Sequence, residues 1–126
     1  MRSFIIAMGI LLVVLCIIVG SYGTLKFLSH KNVESMKEIY ELVTRDNWQE
    51  ANRVYDELMR GWGKHKSLFT ILIDHAEMDA IELCLITAGE SLKTMNKHDT
   101  LDAVAKSIFL FGHIEERNRF SYENVL

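Results

Sequence analysis

FIIAMGILLVVLCIIV, residues 4–19, is apolar without a break, and GSYGTL at 20–25 prolongs the run without adding a charge. Between Arg2 and Lys26 lie 23 uncharged residues. As a helix they span about 34 Å, enough to cross a hydrocarbon core of about 30 Å with some tilt. Arg2 and Lys26 close the two ends, and Tyr22 suits the interfacial zone. Residues 1–26 therefore read as a transmembrane or signal-anchor helix. A cleaved signal peptide is the rival, with cleavage after Gly23 conceivable among Gly20, Ser21 and Gly23. Against it stand an n-region of only Met1-Arg2-Ser3 and an apolar run longer than the usual 7–15 residues of a signal sequence. Cys16 does not suit lipid attachment, because bulky Leu15 precedes it and Ile17 to Gly20 keep it inside the run. It reads as a small buried hydrophobe.

Outside this segment the chain changes character. All 17 acids and 13 of the 14 bases lie in residues 26–126, so the remainder is net acidic and offers no footprint for nucleic acid. With no proline, a quarter of the residues charged and two cysteines, disorder, β-sandwich and disulfide-framework readings fall away. Residues 27–126 read as one helical domain. The first stripe is Val33, Met36, Tyr40 and Val43 on a helix over 32–44. After the Arg45-Asp46-Asn47 turn, Asn47 and Glu50 form a capping-box start for a helix carrying Trp48, Ala51, Tyr55, Leu58 and Trp62. Gly61 and Gly63 suggest a break or kink within 61–66.

LFTILI at 68–73 is long enough for a strand, but its neighbours favour helix. Asp74 with Glu77 repeats the capping-box pattern, and Met78, Ile81, Leu85, Ala88, Leu92 and Met95 then recur at helical spacing. Asn96-Lys97-His98 is the next turn. The last helix begins at Asp99, carries Leu101, Val104, Ala105, Ile108, Phe111 and Ile114, and fades near Arg119 before a tail over Ser121–Leu126. Asn47-Trp-Gln-Glu-Ala51 and Asp99-Thr-Leu-Asp-Ala103 look alike at an offset of 52 residues, which fits no solenoid repeat. The fold class expected is all-α: an N-terminal transmembrane helix followed by a compact antiparallel bundle of about four helices in two hairpins, 32–62 and 74–119.

Three clusters could carry chemistry. In Asp74-His75-Ala-Glu77-Met-Asp79 the bland reading is a capped helix start, with acids complementing the helix dipole. The sharper one is an ion site of His75, Glu77 and Asp79 with His113 from a facing helix. Neither HExxH nor Glu-x-x-His occurs, so no metal and no cofactor is assigned. In the second cluster His113 and Glu116, and Glu115 and Arg119, stand one turn apart, as on a solvated, charge-paired helix end. The third is aromatic: Trp48, Trp62, Phe69, Phe109, Phe111 and Phe120 read as core. Cys84 lacks the partners of a nucleophile, and Gly61-Trp-Gly63-Lys64 is too short for a phosphate loop. No catalytic set and no small-molecule substrate emerges.

The ordered residues Trp48 with Ala51, Trp62, Ile73-Asp-His-Ala-Glu-Met-Asp79 with Ile81, Lys97-His98-Asp99, His113-Ile114-Glu115 and Phe120-Ser-Tyr-Glu-Asn-Val-Leu126 together resemble a family. It is domain-of-unknown-function family 4363, small single-span proteins of Gram-positive, often spore-forming bacteria, with Met78 here in place of an expected isoleucine. The resemblance covers about residues 4–126. It implies a membrane-anchored helical domain, an accessory role beside another membrane protein, and no reaction. The expectation is a membrane-tethered, non-catalytic interaction subunit; the alternative is an ion-binding or sensor domain. The expected orientation places the soluble domain on the extracytoplasmic side, with opposing signals in the sequence. Lys26, Lys31, Lys37 and Arg45 favour a domain held inside, whereas a helix starting at residue 3 or 4 resembles a signal-anchor and favours export.

Overall fold

Four helices and three tight turns make up the described residues. The computed structural model describes residues 1–125, with side chains through Arg117. In chain order these are α1 (Arg2–Thr44), α2 (Trp48–Leu72), α3 (His75–Lys93) and α4 (Lys97–Val125), packed α1 on α2, α2 on α3, α3 on α4 and α4 back on α1. The bundle is all-α, as its stripes required.

α1 departs from expectation most. The apolar segment and the first amphipathic helix are a single helix of 43 residues. Nothing between Lys26 and Asn32 stops a helix: the change there is from apolar to amphipathic, and polarity alone does not interrupt backbone hydrogen bonding. Burial, however, changes sharply along it. Residues 1–20 are all exposed, Ser21 and Tyr22 are half-buried, and Leu25 is 1% exposed. The end of the apolar run thus belongs to the bundle core, which continues along α1 through Leu28, Val33, Met36, Ile39 and Val43. Ile39 takes the inward position expected of Tyr40, whose ring is left 40% exposed at the edge of the stripe.

The break expected at 61–66 does not occur. α2 continues as one helix through Gly61 and Gly63, with Trp62 between them anchored in the core. Its ring lies 5.0 Å from Phe69 and 5.7 Å from Phe111, centroid to centroid, the last two meeting edge-on at 6.2 Å. LFTILI ends α2, which stops where Ile73 turns extended (φ −121°, ψ 159°). α4 starts two residues earlier than expected and remains helical to Val125, so the supposed tail is helix except for Leu126, which lies outside the described residues.

Both hairpins close with the same turn. Asp46 (φ 59°) and Met95 (φ 52°) adopt the left-handed conformation. The amide of Asp46 donates to the Val43 carbonyl (3.0 Å) and that of Asn47 to Leu42 (2.8 Å); Met95 donates to Leu92 (3.2 Å) and Asn96 to Ser91 (3.0 Å). Each is a Schellman closure whose last residue starts the next helix. Asn47 Oδ1 accepts from the Glu50 amide at 3.4 Å, and Asn96 Oδ1 from the Asp99 amide at 3.2 Å. The internal likeness is therefore Asn47 with Asn96, an offset of 49, and not Asn47 with Asp99. Lys97 joins the two turns by donating to the Thr44 carbonyl and to Asp46 Oδ1, both at 3.1 Å.

Candidate functional site

Asp74 does occupy the position before α3, in extended conformation, yet its side chain makes no capping hydrogen bond. Its expected partner is engaged elsewhere. Glu77 Oε2 accepts from Arg117 of α4 at 2.6 Å, while Oε1 is buried without a hydrogen-bond partner. The acid read as half of a local cap thus clamps α3 to α4. His75 and Asp79 are exposed, and so is His113, whose ring stacks on Phe109 at 6.3 Å with 16° between the planes. The bundle does not gather His75, Glu77, Asp79 and His113 into an ion site: among the described residues no three His, Cys, Asp or Glu side chains stand where they could hold a metal. On α3, His75 and Asp79 share one exposed face a turn apart, while Glu77 turns away from them to meet Arg117 of α4.

Glu115 faces α1, where it meets His30 Nδ1 at 3.3 Å. The intrahelical pairing with Arg119 expected from sequence involves a side chain outside the described ones. Of the aromatic set, Trp62, Phe69 and Phe111 are core and Trp48 packs against it, whereas Phe109 is 72% exposed on the outer face of α4. Phe109 and Phe111 stand two positions and about 200° apart on one helix, so helical spacing itself sets them on opposite faces, which the grouping of all the aromatics as core ignores. Phe120 lies outside the described side chains.

Two concavities bear on residues singled out above. Between α1 and α2, Leu28, Leu58, Trp62 and Phe69 form an apolar floor, with Lys31, Asn32, Ser35, Glu57 and His65 around it. Gly61, having no side chain, leaves the opening. Its volume of ≈ 140 Å³ accommodates waters or a small polar group and falls short of the roughly 300 Å³ at which organic ligand pockets begin. The sequence offered one signal for it, a glycine one position before the buried Trp62. Between α3 and α4, Cys84, Asp102, Ala105, Lys106, Phe109 and Leu110 line a shallow groove with mainly apolar walls. Burial pushes the Cys84 thiol up, so at neutral pH it is protonated and a poor nucleophile. Lys106, 2.8 Å from Asp102, holds that carboxyl below the usual range by hydrogen bonding to it, a surface pair and not an acid poised to donate. Burial also raises the Tyr55 hydroxyl, which donates to the Leu85 carbonyl at 2.8 Å and serves to join α2 to α3.

A family model described as Domain of unknown function (DUF4363) matches residues 19–125. No curated protein and no solved structure matches the chain.

Proposed function

The chain belongs to the DUF4363 family, and from that premise we propose that it is a non-catalytic, membrane-tethered helical subunit that engages another protein at the membrane surface. One observation carries the reading. The most apolar part of α1 is 0% buried in the bundle, yet the same helix continues into the core without a break. Fourteen large apolar side chains within residues 1–20 left outside a fold require a nonpolar environment, and a bilayer supplies it. Half-burial of Ser21 and Tyr22, on the near side of Gly23, supports retention of the segment over cleavage after Gly23.

Interaction rather than catalysis is supported by what the outer surface offers. Charged side chains there are largely in surface pairs such as Arg53 with Glu50 and Glu57, and Lys66 with Glu82. Phe109, Leu83 and Ile86 meanwhile stand 72%, 66% and 58% exposed on α4 and α3. Large apolar side chains kept in solvent suit contact with another protein. The reading places the bundle on the extracytoplasmic side.

Native membranes carrying a photo-crosslinking phenylalanine at Phe109 test the partner. A discrete adduct that a probe at exposed Gln49 does not give is expected; monomer alone, or the same adducts from both positions, overturns it. Retention of the chain in membranes through high salt and carbonate is the parallel expectation for the anchor, since salt does not screen apolar burial. Soluble protein beginning at Thr24 would replace the anchor with a signal peptide. Labelling of Met95→Cys by an impermeant maleimide in intact cells is expected, and protection until lysis would reverse the assigned side.

A further inference from the structure

We propose that the α2–α3 turn of the bundle rests on the lipid headgroup layer, with Ile71 inserted into the bilayer interface; this rests on the anchor reading above. The exposed, uncharged part of α1 is Ser3–Gly20, which spans about 27 Å, slightly less than a hydrocarbon core of about 30 Å. Burial in the bundle begins at the next residue, Ser21. No linker separates the two, and α1 has no proline or helix break at the junction, so the bundle cannot stand off from the membrane.

Register decides which end of the bundle faces the lipid. Leu28 shares a cleft with His65 and Phe69, so the last residues of α2 lie about one turn nearer the membrane, level with Leu25. α4 runs antiparallel to α1 with Glu115 beside His30, and its further ten residues to Val125 carry the helix back to the same level. At this end Ile71 projects from the final turn of α2 with 78% of its surface exposed, more than any other large hydrophobic residue among the described residues of the bundle. In water that exposure is unfavourable; at an interface the side chain enters the acyl boundary, as the apolar face of a surface-lying helix does. An anchor slightly short of the hydrocarbon thickness draws the attached surface inward, which adds to the same seating.

The test uses the full chain with Cys16→Ala and Cys84→Ala in vesicles of phosphatidylcholine and phosphatidylglycerol. Single cysteines at Ile71→Cys, Thr70→Cys, Met95→Cys and Leu12→Cys carry an environment-sensitive fluorophore. Thr70, an exposed neighbour on the same turn, covers the case in which the label at Ile71 perturbs the site. Labels at 70 and 71 are expected to be quenched several-fold more by lipids spin-labelled near the headgroup than the label at 95, and less by aqueous iodide. If 70 and 71 behave like 95 while 12 is quenched by deeply labelled lipid, the seating is wrong and the anchor stands. If 12 also responds only to iodide, the anchor reading fails and the seating falls with it.

Discussion

Gly89 shows how one missing side chain sets the spacing of two helices. A Cβ there would collide with the Tyr55 hydroxyl and come within 2.8 Å of Tyr55 Cζ. The phenol lies in that gap to donate to the Leu85 carbonyl, and α2 and α3 share the thinnest of the helix contacts. Gly89→Ala should therefore destabilise the bundle by about 1–3 kcal/mol, as overpacking does, despite the higher helix propensity of alanine. Gly63→Ala, where a Cβ meets nothing within 4 Å, should stabilise by about 0.5–1 kcal/mol. Denaturant midpoints of the two variants check both signs. Met95 is the opposite case, a side chain where glycine fits better. It sits at φ 52° and is 59% exposed, so Met95→Gly relieves left-handed strain while giving up little burial. A gain of about 1 kcal/mol is expected from the same melts.

At the scale of elements, helix existence and type were legible in the stripes, and most inward residues of α2, α3 and α4 follow the expected spacing. The joins were not. A capping box is a local pattern, and whether it forms depends on what else competes for its side chains. Asn47 and Asn96 cap because nothing distant claims them. Glu77 does not, because Arg117, 40 residues away, holds it. The same reason hid the true offset of the two hairpins: their equivalent turns share left-handed backbone, and Asp46 and Met95 have no letters in common. An ion site at 74–79 is suggested by adjacency, but helical rotation turns Glu77 to Arg117 of α4 and away from His75 and Asp79, which share an exposed face. Asn96→Ala should cost about 0.5–2 kcal/mol through loss of the Asp99 amide contact, along with the 2.8 Å bond from Asn96 Nδ2 to Asp99 Oδ2. Asp74→Ala should be nearly neutral by comparison, and His75→Ala likewise, since both side chains face solvent. Thermal melts that ranked Asp74→Ala above Asn96→Ala would mean that the cap at α3 forms after all.

For the molecule as a whole, the boundary between the apolar N-terminal segment and the bundle is the consequential difference between composition and packing. Hydropathy divides the chain at Lys26, where the first base interrupts the apolar run. Packing divides it at Ser21, because Leu25 is as deeply buried as Phe111 and the helix on either side is one rod. Three truncations separate these divisions. A chain of residues 21–126 keeps every core side chain and should unfold cooperatively, with helicity close to that of the full-length bundle. A chain of 27–126 loses Leu25 and a turn and a half of α1, which opens the end of the core where α1 meets α2 and α4. Full burial of one leucine contributes about 1.5–3 kcal/mol, so this domain should fold but melt measurably lower. A chain of 33–126 also removes Leu28 and Ser29, together with one wall of the cleft over Trp62. Two leucines then amount to roughly 3–6 kcal/mol against a total stability of about 5–15 kcal/mol for a domain of this size. Circular dichroism melts should place the three in that order, the shortest losing its cooperative transition. Equal melting of 21–126 and 27–126 would return the boundary to Lys26, with Leu25 contributing to the membrane segment alone.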